Sequence, residues 1–430
     1  MRFGFYESDI TPPLGGLFWG HYSKDAYATG VKDRLYARAA VIEGEDGTIA
    51  AFVTVDTCAL PPMIHETVTK RIEEYTGIPA SAVCITSNHT HWGAPVSDSP
   101  EIGCFADATY LDVFLRLTAD AVTMAYRRLS DAEAFYGEGP ASEISFCRNF
   151  ILDNGRVITW AGGIDPSRIV GRNSEPDPTV RTVIAKDAEG KPIGALVSFA
   201  CHQCCCGANK EYTGDFSSIM SEKLKEKYGK DFVAVFLPAA AGDITHVVDN
   251  QFRTAPDHYR KMGEILSNAV VASEKECKPL GTLVATVKEP ITVAHRQMTP
   301  EEYSEEFARL RKSGQVMRAR NLEYYNTACK ATEGEYLLQA IRIGKLCIYV
   351  MPGEVFIDLG RRVMENSEYE YAFLVHNSNT YCGYIPTKEV FKKPYDLYEA
   401  SLCYHSCLVP EAGEIMTDKV LELGRSLAES

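Results

Sequence analysis

Residues 82–93 read Ala82-Val83-Cys84-Ile85-Thr86-Ser87-Asn88-His89-Thr90-His91-Trp92-Gly93, an apolar run that stops at a polar His-x-His. Such a run reads as a buried strand emptying into a site. In an extended chain, residues two apart share a face. On that geometry His89 and His91 point at one small volume, where neutral imidazoles bind a metal or orient a substrate. Two polar histidines in a surface loop account for the same letters equally well. Partners elsewhere in the chain have to decide.

The pattern recurs along the chain. Apolar, β-rich runs lie at residues 38–42, 49–55, 83–86, 194–200, 232–237, 337–343, 346–351 and 371–375. The run at 49–55 ends at Asp56-Thr57, and that at 194–200 ends at Cys201-His202. The run at 232–237 enters Pro238-Ala239-Ala240-Ala241-Gly242-Asp243, and 346–351 enters Pro352-Gly353-Glu354. The last, 371–375, opens into His376-Asn377-Ser378-Asn379-Thr380-Tyr381-Cys382-Gly383-Tyr384. Sites in open α/β sheets form outside the carboxyl ends of strands. Parallel strands among these would collect His, His, Glu and Tyr at one place without any short metal motif.

Three-to-four spacing predicts helices over 110–129, 217–228, 256–276, 299 to about 325 and 413–427. Thr299-Pro300-Glu301-Glu302 is a strong start signal, with an N-cap Thr, an early Pro and first-turn acids. Asp153-Asn154-Gly155 and Asp187-Ala188-Glu189-Gly190 predict hairpin turns. The expectation is an α/β protein, a mixed sheet core flanked by helices, in a single domain over residues 1–430.

Composition narrows the function. The chain has 430 residues, 45% hydrophobic and 24% charged, with a formal charge of −14 and a pI near 5.3. That balance, without a Lys/Arg cluster, argues against nucleic acid and anionic membrane surfaces as partners. No apolar run approaches the roughly 20 residues of a transmembrane helix. Met1-Arg2-Phe3-Gly4-Phe5-Tyr6-Glu7-Ser8-Asp9 lacks an apolar signal core, so a cytoplasmic protein is expected. Fourteen irregularly spaced cysteines then read as reduced thiols, many of them in the core. Cys201-His202-Gln203-Cys204-Cys205-Cys206 contains a redox spacing, but no second Cys pair answers it. A small-molecule substrate is the expected partner, and a homo-oligomer is left open.

Three N/O ligands plus water describe a catalytic zinc site, with His₂Glu a common version. Each residue also has a structural reading. Glu354 opens a predicted helix over 354–364, where an acid suits the dipole. His202 fits a satisfied core histidine, Tyr384 a packing residue, and His246 a surface histidine. Asp56, Asp215 and Asp243 fit turns and N-caps, or partners that hold a metal-bound imidazole.

Taken together, these segments resemble the catalytic domain of the neutral/alkaline non-lysosomal ceramidases. The resemblance begins at Asp9-Ile10-Thr11-Pro12-Pro13-Leu14-Gly15 and passes through Asn88-His89-Thr90-His91-Trp92-Gly93 and Arg148-Asn149. It continues through Ser198-Phe199-Ala200-Cys201-His202, Thr213-Gly214-Asp215-Phe216 and Met351-Pro352-Gly353-Glu354, to Tyr398-Glu399-Ala400. It implies a ceramidase-like catalytic fold and Zn2+ as cofactor. His89, His202, Glu354 and Tyr384 are the implied metal ligands, with Tyr381 in reserve for the tyrosine. His91, Arg148, Tyr381 and Tyr398 are the implied catalytic, substrate-side residues. Three departures are expected: Ala239 in place of the family's nucleophilic serine, no room for the family's immunoglobulin-like domain within the 430 residues, and no secretion signal.

The leading expectation is therefore a zinc-dependent hydrolase that uses activated water on an amide or ester bond of a small substrate. A true ceramidase acting on N-acylsphingosine, and a non-catalytic small-molecule-binding relative, are the alternatives.

Overall fold

The computed structural model describes residues 1–20, 26–100, 103–247, 255 and 257–428. Three sheets of long strands form its frame, two of them with five strands each, and a fourth sheet has four short strands, Ile169–Arg172, Asn149–Leu152, Val157–Thr159 and Tyr395–Asp396. In the first, Val83–Ser87, Ile49–Val55, Tyr36–Glu43, Arg2–Asp9 and Ser130–Asp131 lie side by side in that order. The second runs Val233–Pro238, Pro192–Phe199, Thr179–Lys186, Glu133–Pro140 and Lys278–Pro279. The third has four strands, Val284–Ala294, Glu333–Ile343, Leu346–Val350 and Tyr371–Val375.

The strand pairs that matter are parallel. Ile49–Val55 pairs in parallel with Val83–Ser87, Pro192–Phe199 with Val233–Pro238, and Leu346–Val350 with Tyr371–Val375. These are six of the apolar runs read from the sequence, and their burial on both faces explains why they are continuous rather than alternating. Phe52, Leu196, Val235, Ile348 and Phe373 meet in one buried cluster to which all three sheets contribute. The parallel ends are thereby held against one another.

Helices cover the outer faces. Pro62–Thr76 and Ala108–Arg127 pack against each other, and the second lies on the first sheet. Asp215–Tyr228 and His258–Lys275 pack together against the second sheet, and Ala412–Ala428 lies on the third. Pro256, the expected start of the fourth helix, lies outside the described residues.

Two expectations need correction. The single helix from 299 to about 325 is two, Pro300–Lys312 and Val316–Ala328. Gly314 at φ 73° breaks it, a left-handed conformation that costs glycine little. The start is as read, with Thr299 and Glu302 forming a reciprocal capping box. Glu354 does not open a helix either. It lies in the two-residue strand Glu354–Val355, parallel to Tyr384–Ile385, and the helix begins at Ile357. The dipole account of this acid is thereby removed.

Candidate metal centre

The His-x-His turn is built on Asp56, at the end of its strand. The Asp56 carboxylate is buried; it accepts from Tyr36 N at 2.8 Å and Arg38 Nη1 at 3.0 Å. It also accepts from Asn88 Nδ2 at 2.8 Å, tying the first strand end to the second. Asn88 N and His89 N then donate to Val55 O and Thr57 O, each at 3.1 Å. So clamped, His89 adopts φ 69°, a conformation uncommon for a non-glycine residue and costing about 1–3 kcal/mol. The segment is thus a turn, not the extended chain that period-two reasoning assumed. His89 and His91 are still neighbours, with ring centroids 5.2 Å apart and planes 80° from parallel.

His202 and Glu354 arrive from the other two sheets. The Nε2 atoms of His89 and His202 lie 3.2 Å apart. Glu354 Oε2 is 3.4 Å from the first and 3.3 Å from the second. The three atoms form a nearly equilateral triangle. Tetrahedral ligands at zinc bond lengths of about 2.0–2.1 Å are separated by about 3.3–3.4 Å. Glu354 Oε2 is buried and accepts no hydrogen bond, a costly state unless a cation shares the site. Each imidazole commits its other nitrogen to a backbone carbonyl, His89 Nδ1 to Cys58 O at 2.6 Å and His202 Nδ1 to Ala241 O at 2.9 Å. Those bonds select the tautomer that leaves Nε2 bare. Among the described residues no aspartate holds either ring; Asp243 instead accepts from Ile357 N, and Asp215 from Cys205 N, both at 2.8 Å.

Burial, the Arg148 cation and His89 together hold His202 well below the usual imidazole range. Burial raises the Glu354 carboxyl, but His89 and then His202 and Arg148 outweigh it and hold the group well below the carboxylate range. Burial lowers His89, but Cys58 and Glu354 outweigh it and raise this imidazole well above its usual range, so without a metal His89 keeps a proton facing Glu354. Loss of that proton leaves two neutral imidazoles and an ionised carboxylate, the forms that bind a metal. Cys58, His89 and His91 also lie close enough to share an ion. That second grouping fails chemically, because His89 Nδ1 is already engaged by Cys58 O.

The two tyrosines diverge. Tyr381 OH donates to Glu354 Oε1 at 2.7 Å, which places it at the triangle. Tyr384 OH accepts from Arg148 Nη2 at 3.1 Å. Arg148 also donates to Gly242 O at 2.7 Å and, through Nε, to Glu399 Oε1 at 2.7 Å. Its side chain is 5% exposed and that of Glu399 0%, so this ion pair is fully enclosed. Thr159 closes the far side by donating to Glu399 Oε2. Tyr398 stacks edge-on to Tyr384 at 5.8 Å, and His405 lies 5.2 Å from Tyr398. Glu399 and His405 escaped the sequence reading. The only available signal for Glu399 was its place beside Tyr398, and nothing linked it to an arginine 251 positions away.

A cavity of about 570 Å³ has in its wall Tyr381 and Cys58, which bond Glu354 and His89, together with Trp19, Tyr325, Tyr336 and Tyr404; the three triangle residues do not line it. The cysteine cluster at 201–206 does not line it. Burial and Asp215 drive the Cys206 thiol up, and burial does the same to Cys204 and Cys205; Cys205 and Cys206 are inert core thiols, and Cys204 is half-buried beside them. His246, expected at the surface, is buried against the His258 ring at 5.1 Å. No described helix is long and apolar enough to cross a membrane.

Residues 1–157 match the family model for neutral/alkaline non-lysosomal ceramidase, N-terminal. Neutral ceramidases of Drosophila pseudoobscura pseudoobscura and Drosophila melanogaster are each 34% identical over 97 residues. That stretch is 22% of this chain and 14% of each relative. The crystal structure of neutral ceramidase from Pseudomonas aeruginosa superposes at TM-score 0.77 and 18% identity, over 100% of this chain and 74% of that one. A ceramidase complexed with C2 does so at 0.79 and 17%, over 100% and 75%. The resemblance read from the sequence therefore stands, and the mixed α/β architecture is the one these structures share.

Proposed function

We propose that this ceramidase-like chain is a metal-dependent hydrolase of an amide bond, with zinc the metal that fits its donors. The observation that carries the reading is the triangle of His89 Nε2, His202 Nε2 and Glu354 Oε2, with sides of 3.2–3.4 Å around an unsatisfied carboxylate oxygen. Tyr381, rather than Tyr384, is the phenol at this centre, because its hydroxyl shares Glu354. Zinc bound there supplies Lewis acidity, polarising a carbonyl and bringing the pKa of water to about 7.

The chain's own groups do the rest. Glu354 accepts the one proton of the Tyr381 hydroxyl, which can turn from the carboxylate to an oxyanion as charge develops. His91, against the two ligand imidazoles, is placed to accept or return a proton. Arg148 braces Tyr384 from behind; its ion pair with Glu399 makes it a fixed positive charge near Glu354 and His202. Ala239 carries only a methyl group, so a covalent acyl intermediate at that position is closed and water is the nucleophile.

The second reading, a ceramidase proper, is favoured by the family match and by the aromatic wall of the cavity. Metal analysis of the purified protein tests the main reading. We expect about one zinc per chain in the wild type and none in His89→Ala or His202→Ala; a metal-free wild type with full amidase activity would overturn it.

A further inference from the structure

We infer that a second cavity, between the helices Pro300–Lys312 and Val316–Ala328 and the segment 390–402, is a binding site for a phosphate group. The inference goes beyond the hydrolase reading and does not depend on it. The cavity measures about 210 Å³, and Arg296, Arg309 and Arg318 stand in its wall with Glu306 and Asp396. Both carboxylates are already engaged. Glu306 accepts from Arg309 Nε and Nη2, each at 2.6 Å. Asp396 accepts from Arg318 Nη1 on one oxygen and from Arg156 Nη2 on the other, both at 2.9 Å. Four guanidinium groups thus share two carboxylates. In a chain with a formal charge of −14, that local excess is not a general property of the surface.

Arg296 has no carboxylate partner among the described residues, and residues 296–322 and 390–402 are all described. Its Nη1 donates to Ala400 O at 2.8 Å and its Nη2 to Ser406 Oγ at 3.0 Å, both neutral acceptors. The guanidinium carbon lies 4.7 Å from the centre of the Phe391 ring. Its Nε is buried without a hydrogen-bond partner, and so is that of Arg318. A guanidinium keeps its charge at neutral pH, so it cannot answer burial by losing a proton. A buried cation without an anion and orphaned buried N–H groups are both costly. One anion in the cavity relieves both.

Charge and size select the anion. A phosphate group carries about −1.5 to −2 at pH 7, which matches two unanswered guanidinium charges. Arginine also meets phosphate oxygens with paired N–H donors. At about 30 Å³ per water-sized atom, 210 Å³ holds about seven, room for a phosphate group with little besides. The same wall reaches toward the metal centre. Leu397 and Ala400 line the cavity on either side of Tyr398 and Glu399. Ser406 Oγ, which accepts from Arg296, donates to Glu399 O at 2.6 Å. A phosphate on Arg296 therefore braces the segment whose Glu399 holds Arg148.

Isothermal calorimetry of the full chain, loaded with zinc, against inorganic phosphate at constant ionic strength tests the site. We expect one phosphate per chain. Met298 lines the cavity, and Met298→Glu places a carboxylate of similar shape beside the arginines. That change should weaken binding at least about tenfold, whereas the uncharged Met298→Gln should leave it within about twofold. Arg318→Gln should weaken binding about tenfold, with Arg318→Lys intermediate. Phosphate should also raise the urea midpoint of the wild type and of Met298→Gln, but not of Met298→Glu. A titration with glycerol 3-phosphate separates the two sources that support the site: equal affinity assigns it to a small phosphate ester, and exclusion assigns it to the free ion. None of these readouts needs amide turnover. A wild type that takes up no phosphate at about 10 mM overturns the inference. So does binding that Met298→Glu and Arg318→Gln both leave unchanged, the result of phosphate sitting on the zinc instead.

Discussion

Replacing Glu399 by glutamine should be among the most damaging single changes outside the metal triangle. The substitution keeps the shape of the side chain but removes its charge. Arg148, 5% exposed, would then be a buried cation without its bonded anion, left with Gly242 O and Tyr384 OH as hydrogen-bond partners and the non-bonded Glu354 carboxylate as its remaining counter-charge. Removing one partner of a buried ion pair costs about 3–5 kcal/mol. Against a total stability of about 5–15 kcal/mol, that is a fifth or more of the margin. In urea the unfolding midpoint should fall sharply with little change in m-value. Removing both charges separates the cause: Arg148→Met with Glu399→Leu should recover most of the loss, because no unpaired charge remains. Thr159→Val, which deletes the hydroxyl that donates to Glu399 and accepts from Tyr398 N, should cost about 1–3 kcal/mol. The reasoning is refuted if Glu399→Gln shifts stability by less than 1 kcal/mol, which would mean that Arg148 is solvated or paired elsewhere.

Other expectations follow from single contacts. Tyr381→Phe removes the hydroxyl on Glu354 and should lower kcat by about 10²-fold, with a smaller loss for Tyr384→Phe; equal losses would contradict the assignment. Gly20 has φ 120°, and a Cβ there would lie 2.8 Å from His91 Cγ. Gly20→Ala should therefore displace His91 and cut kcat/KM by about 10²-fold while zinc content, read by mass spectrometry, stays at wild-type level. Lys288 bonds His65 Nε2 at 2.9 Å and Ala80 O at 2.8 Å beneath the strand that leads to His89. Burial lowers this ammonium from its usual 10.5 to about 7. Between pH 7 and 10.5 the unfolded chain then holds the extra proton, so this group's contribution to stability rises with pH across that window and is least below pH 7. Lys288→Met should flatten the rise, as followed by urea midpoints from pH 6.5 to 9.5; an unchanged slope would refute the account.

The comparison of sequence with structure turns on the range over which each contact acts. Continuous apolar runs that end in polar residues recorded parallel strands buried on both faces, because burial constrains each residue separately. That much placed His89, His202 and Glu354 at three strand ends without any coordinates. Spacing could not choose between Tyr381 and Tyr384, which lie three apart on one turn. The choice came from where the strand Glu354–Val355 pairs with Tyr384–Ile385, leaving the hydroxyl of Tyr381 on the carboxylate. Nor could it show that His89 reaches the centre through a left-handed turn, since the Asp56–Asn88 bond that enforces it joins two different strand ends. The ion pair of Arg148 with Glu399 and the thiol-and-aromatic wall are likewise made by residues far apart in the chain. By itself, then, the sequence determined the α/β frame and the kinds of donor at its strand ends. The tertiary structure decided which atoms face the common point, because only the packing of three sheets against one another brings those ends within bonding distance.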